Sequence, residues 1–301
     1  MTMQKLLNNP NSVEGVFRVS RWLSPAMGRW AASWISKWIA SKSDLSLVKA
    51  VRVNQWVAGG ENLSAEKLDQ QVIKVLNTAG ISFYNLFHNF ERPEILQSLV
   101  VFTPEIEEVI QRSREKRYGL VVAGIHISNF DLVAQAAALH GLKGFALSVP
   151  EPDNAIRWQH DLRKKSGLDI LDANLTNLRL AIKRLQSGET VVTGIDRPVP
   201  NPKLKPQFFG RPAHLAVHHV QLALHAKIPV MVMGAIMKDD GKYHILTSSE
   251  IQMRPYTDRS TELKSNAERI LEITEEIIRS ALDQWVVFQP IWPETLPLIP
   301  K

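Results

Sequence analysis

His126 and Asp131 stand five residues apart in the run Gly119 to Leu139, GLVVAGIHISNFDLVAQAAAL, and they have the make-up of a general-base pair. An ionised carboxylate beside an imidazole accepts the proton of one ring nitrogen, which fixes the tautomer and frees the other nitrogen to act as a base. The spacing also has a purely structural explanation. Ser128-Asn129-Phe130-Asp131 is an S-x-x-D capping box, in which Asp131 serves only the helix and His126 is a satisfied histidine at a sheet edge. A Ser128-His126-Asp131 nucleophile is disfavoured, because no G-x-S-x-G turn surrounds Ser128 and capping already occupies it.

The elements around the pair favour chemistry. Leu120 to Ile125 is a near-continuous apolar run with β-branched residues, the pattern of a strand buried on both faces of a parallel sheet. His126 then falls at the carboxyl end of that strand, where open α/β sheets place ligands. With Ser128 as N-cap, the Ala-rich stretch that follows is a helix, and Asp131 lies in its first turn, where the helix dipole keeps a carboxylate ionised. From Gly119 onward strands at 119–125, 143–148, 168–171, 190–195, 229–235 and 242–247 alternate with helices near 130–140, 153–166, 174–187, 213–226 and 262–282. The expected fold is therefore α/β, a largely parallel central sheet flanked by helices, preceded by a helical N-terminal region. The Pro-rich loop Arg197 to Pro206 follows a strand end and could line an acceptor site.

Charge and aromatic residues are concentrated at one end of the 301-residue chain. Residues 1–60 carry eight Lys or Arg against two acids, which accounts for the whole net charge of +6, and they hold Trp22, Trp30, Trp34, Trp38 and Trp56, five of the 8 Trp. Ser24-Pro25 reads as N-cap and first residue of a helix to about Ser41, with Leu23, Met27, Trp30, Trp34 and Trp38 along one face and Arg29 and Lys37 on its flank. Arg29 and Lys37 interrupt any spanning stretch of about 18 apolar residues. Residues 1–43 are accordingly expected to lie in the interface of an anionic membrane, with 44–301 as the catalytic domain. The competing arrangement packs the Trp stripe on the protein's own core. No motif reads nucleic acid, and no cleavage site of a secretory signal follows the apolar run.

Other chemistries lack their signatures. With no Cys, a cysteine acyl-enzyme and a thiolate metal site are both impossible. His214 and His218 stand four apart on an expected helix, but the sequence between them lacks the glutamate of H-E-x-x-H. Neither G-x-G-x-x-G nor G-x-x-x-x-G-K-S/T occurs. Arg163, Asp196 and Arg197 fall near expected element ends, either as a surface ion pair or as two cations for a phosphate or an oxyanion, one of them oriented by Asp196.

His126-x-x-Asn129-Phe130-Asp131 resembles the signature of the bacterial late lipid A acyltransferase family, which includes phosphatidylinositol mannoside acyltransferases. Arg163 with Gly167 resembles its R-x-x-x-G block, and Gly194-Ile195-Asp196-Arg197 followed by Phe208-Phe209-Gly210-Arg211-Pro212-Ala213 resembles its D-Q…FFGxPA block. Ile228-Pro229-Val230 and Gln284-Trp285 follow in order, so the likeness spans about residues 45–292. Arg197 stands where the family usually has Gln, and Asp131 where lipid A enzymes commonly have Glu; the F-P-E-G-T-R-like block of glycerophospholipid acyltransferases is missing. The resemblance implies acyl transfer from acyl-CoA or acyl-carrier protein to a hydroxyl of a membrane glycolipid, such as a lipid A precursor, without metal or bound cofactor, at the cytoplasmic face of the inner membrane. His126 and Asp131 would be catalytic, and Asn129, Arg163, Asp196, Arg197 and Arg211 would contact substrate. An acyl-thioester hydrolase and a lysophospholipid acyltransferase are the alternatives.

Overall fold

The computed structural model describes residues 10–148 and 154–300. Residues 1–9 of the expected interfacial segment, and residue 153 at the start of an expected helix, lie outside them. Helices come first: α1 Pro10–Trp22, α2 Pro25–Ala40, α3 Ser46–Ala58, α4 Ala65–Asn89 and α5 Pro93–Ser98. After strand β1 Val100–Val101 and helix α6 Pro104–Glu115, strands and helices alternate. They are β2 Leu120–Gly124, α7 Phe130–Leu139, β3 Gly144–Ser148, α8 Asn154–Lys165, β4 Asp169–Asp172, α9 Leu175–Gln186 and β5 Thr190–Gly194. A small hairpin, β6 Gln207–Phe208 with β7 Arg211–Pro212, precedes α10 His218–Ala226, β8 Val230–Met237, β9 Tyr243–Thr247 and α11 Arg259–Ser280.

Seven strands form one sheet in the order β1-β9-β8-β2-β5-β3-β4, and every pairing in it is parallel except β8 with β9. The fold is α/β, with β2 near the sheet's centre. Its alternate side chains go to opposite layers: Val121 and Ala123 join the largest core cluster with α10, α11 and the C-terminal segment, while Leu120 and Val122 meet Val109 of α6. A strand covered on both faces has no position for a polar side chain until it leaves the sheet, which is why β2 is apolar throughout and chemistry begins at its carboxyl end.

The N-terminal helices follow their caps. Ser24 accepts from the Met27 N–H and Ser64 from the Lys67 N–H, with Pro25 in the first turn of α2. Helix α2 packs against α4 through small residues: Gly28, Ala32 and Ser36 are its buried positions, and a Cβ on Gly28 would fall 2.2 Å from the Tyr84 ring. Positions 30, 34 and 38 lie two residues from that stripe, about 200° around the helix. Trp30, Trp34 and Trp38 therefore face outward, and they are 71%, 60% and 45% exposed. The alternative in which this Trp stripe packs on the protein's own core does not occur. Among the described residues no helix is long and apolar enough to cross a membrane.

Candidate active site

Strands β2 and β5 are parallel neighbours in a register that pairs Gly124 with Gly194. Two residues beyond each glycine come His126 and Asp196, so the two side chains leave adjacent strands at the same height. Asp196 Oδ1 lies 2.6 Å from His126 Nδ1, and Oδ2 accepts from the His126 backbone N–H at 2.9 Å and from Trp285 Nε1 at 2.8 Å. Asp196 is fully buried. Burial opposes its charge, but His126 beside it and the donors from His126 and Trp285 outweigh that and hold the carboxyl below the ordinary carboxylate range. An ionised Asp196 requires His126 Nδ1 to carry the hydrogen, which leaves Nε2 as the free base. Burial and the Arg197 cation together push His126 below the ordinary histidine value, against the pull of Asp196, so its imidazole is neutral at neutral pH.

The carboxylate that orients His126 is thus Asp196, not Asp131. Asp131 is held by Arg163 in a two-pronged ion pair, Nε to Oδ1 at 2.8 Å and Nη2 to Oδ2 at 2.9 Å, and also accepts from Gln135 Nε2 at 3.2 Å. Burial opposes the charge on Asp131 too, and Arg163 outweighs it. In the first turn of α7, Asp131 shares a face with Gln135 one turn on and points at α8, where Arg163 lies. Ser166 then donates to Gln135 at 2.7 Å, closing a buried chain of side chains behind the ion pair.

The turn between β2 and α7 differs from the expected capping box. Asn129 is the N-cap, accepting from the Leu132 N–H at 3.3 Å. Ser128 adopts φ 51°, gives its N–H to the Gln284 carbonyl at 2.6 Å, and keeps a buried hydroxyl without a partner. The C-terminal segment fixes this turn: Ile127 bridges Trp285, and the Val286 N–H donates to the His126 carbonyl at 2.9 Å. Gly194 supplies clearance, since a Cβ there would stand 2.4 Å from His126 Cε1. Phe130 meets the His126 ring edge-on at 4.5 Å between centroids.

These residues stand on a cavity of about 390 Å³. His126, Asp131, Arg163 and Arg197 line its polar part, and Ile106, Val109 and Ile110 of α6, Ala137 of α7, Val122 and Met233 are among its apolar walls. Arg197 carries its guanidinium 5.9 Å over the Phe130 ring. Its Nε is buried with no acceptor, and among the described residues no carboxylate forms an ion pair with it. Pro198 and Val199, from the start of the Pro-rich loop, also line the cavity.

The remaining expected site residues are placed elsewhere. Asn129 is buried away from the cavity, its amide donating to the Ser82 carbonyl at 2.8 Å and the Tyr243 hydroxyl at 3.2 Å, so it holds the turn rather than a substrate. Arg211 forms an ion pair with Glu61 and is absent from the cavity walls. Asp196 binds His126 and orients no arginine. The helix expected from 213 begins only at His218, because Leu215 bridges Pro198. His214 consequently turns to Glu294 at 3.7 Å, while His218 enters the cavity with Nε2 2.6 Å from Thr193 Oγ1 and is pushed down by burial to about 4. Among the described residues no three side chains of His, Asp or Glu gather as a metal site.

Trp285 and Gly194 fall within the blocks of the resemblance, but their sequence positions alone do not reveal their contacts with Asp196 and His126. One signal could have found the real pair: Gly124-Ile125-His126 and Gly194-Ile195-Asp196 are matching strand endings. A comparison with family profiles matches residues 61–294 to that of bacterial lipid A biosynthesis acyltransferases. A comparison with curated proteins returns no match.

Proposed function

The chain belongs to the bacterial lipid A biosynthesis acyltransferase family and is an acyltransferase, and from this we propose that it moves a fatty acyl chain from an acyl thioester to a hydroxyl of a membrane glycolipid. The observation that carries the proposal is the apolar cavity beneath α6 and α7, whose polar part holds a neutral His126 with Nε2 free. A fatty chain in that cavity brings its thioester carbonyl to the carboxyl ends of β2 and β5.

His126 Nε2 takes the proton of the acceptor hydroxyl as that oxygen attacks the carbonyl, and Asp196 stabilises the imidazolium that forms. Arg197, a guanidinium with unused donors on the same cavity, stabilises the oxyanion. When the tetrahedral intermediate collapses, the carbon–sulfur bond breaks and the imidazolium returns its proton to the departing thiolate. Arg163, anchored by Asp131, contributes a second fixed cation beside the reacting groups. The donor is acyl-CoA or acyl-carrier protein, and the acceptor is a lipid A precursor or a related glycolipid.

An acceptor of this kind is reached from a bilayer, and the outward Trp face of α2 supports attachment to a membrane surface; the family resemblance makes that surface the cytoplasmic face of the inner membrane. The test is transfer of a labelled acyl chain from thioester to extracted membrane lipid by the purified protein and by its His126→Ala variant. Loss of transfer with retained fold supports the mechanism; near-normal transfer overturns it. Thioester consumption that is unchanged when lipid is omitted would identify a hydrolase instead.

A further inference from the structure

We propose that the cleft between the carboxyl ends of α1 and α4 binds the phosphate of an anionic phospholipid headgroup, separately from the reaction cavity; this builds on the interfacial attachment inferred above. The cleft measures about 300 Å³ and is lined by Arg18, Arg21, Trp22, His88, Glu91 and Arg92.

Its floor is built. Tyr84 stacks on His88 at 5.1 Å between centroids and donates its hydroxyl to the Leu23 carbonyl at 2.9 Å. His88 Nδ1 lies 2.9 Å from the Ser20 carbonyl oxygen, so this nitrogen carries the hydrogen and Nε2 is an acceptor, 3.4 Å from Arg92 Nη1. These bonds tie the end of α4 to the end of α1 and fix the cleft's width.

The charge around it exceeds what the protein neutralises. Arg18 pairs with Glu14 at 2.7 Å and Arg21 pairs with Glu91, whereas Arg92 has no carboxylate partner among the described residues. Guanidinium donors in a fixed cleft suit phosphate oxygens. Trp22, 90% exposed, stands at the cleft, and a Trp so placed favours the water–bilayer interface, which points to a lipid-borne phosphate rather than a free one.

The experiment uses the full-length protein with two charge-matched variants. Arg18→Gln with Arg92→Gln removes two cleft cations, and Lys37→Gln with Lys42→Gln removes two from outside it. Titration with water-soluble dihexanoyl phosphatidic acid should give binding that the cleft variant loses about tenfold or more and the lysine variant keeps. Glycerol 3-phosphate should bind far more weakly; equal binding would make the cleft a free-phosphate site and overturn the lipid assignment. On vesicles of phosphatidylcholine with phosphatidic acid, the cleft variant should partition more weakly than the lysine variant, and an equal loss would mean general surface charge and overturn the proposal. If the wild type binds the short-chain lipid through the arginines but no vesicles, the cleft stands and the interfacial reading fails.

Discussion

Asp196 and His126 hold the same position on neighbouring parallel strands, each two residues past a glycine of a registered Gly124–Gly194 pair, and their side chains meet at 2.6 Å. The second carboxylate, Asp131, is committed to Arg163. Two buried acids thus have separate tasks, one setting the tautomer of the base and the other anchoring a cation.

Replacing these acids should give different defects. Asp196→Asn removes the acceptor that demands a hydrogen on His126 Nδ1, and turnover should fall by on the order of 10³–10⁴-fold, as for a base caught in the wrong tautomer. Asp131→Asn leaves Arg163 buried and uncompensated, so it should cost about 3 kcal/mol of stability, read as a lowered unfolding midpoint in denaturant. Equal turnover defects without a stability difference would merge the two roles.

The base titrates on the acid side of the pH profile. His126 acts only when neutral, and burial with Arg197 lowers its pKa below the ordinary 6.5, so kcat/KM should fall with acid through a midpoint below that value. Arg197→Gln removes a neighbouring cation that favours the neutral ring. Its acid limb should therefore move to higher pH, in addition to a lower plateau from the lost oxyanion donor. A limb that stays in place would show that Arg197 does not act on His126.

Gly194 should tolerate no side chain for a reason specific to His126. Its φ is outside the positive region, so alanine suits the backbone, but the added Cβ would stand 2.4 Å from His126 Cε1. Gly194→Ala should displace the ring and abolish transfer while circular dichroism remains that of the wild type. Full activity would mean the ring has freedom that the packing denies.

Chain-length preference should follow the cavity walls. Ala137→Phe fills space between α7 and the sheet, and long acyl chains should lose rate relative to short ones, by about fourfold for each methylene denied burial, at ~0.8 kcal/mol apiece. A series of acyl thioesters measured in competition would read this. An unaltered preference would place the chain elsewhere.

The α/β alternation, the strand that delivers His126 and the cap at Ser24 were legible in the sequence, because each rests on residues within a turn or two of one another. The Trp stripe was legible too, but its direction was not. Deciding that required seeing that Gly28, Ala32 and Ser36 let α2 approach α4 closely, which turns the Trp residues outward. The same limit separates Asp131 from Asp196. Spacing pairs His126 with the nearer acid in sequence, yet a helix start directs its side chains along its own first turn toward α8, while strand register places residues 70 positions apart side by side. Local spacing determined which residues are available for chemistry. Only the sheet's pairing order decided which of them touch, because hydrogen-bonded register between strands is set by the whole packed core and not by any segment's own preferences.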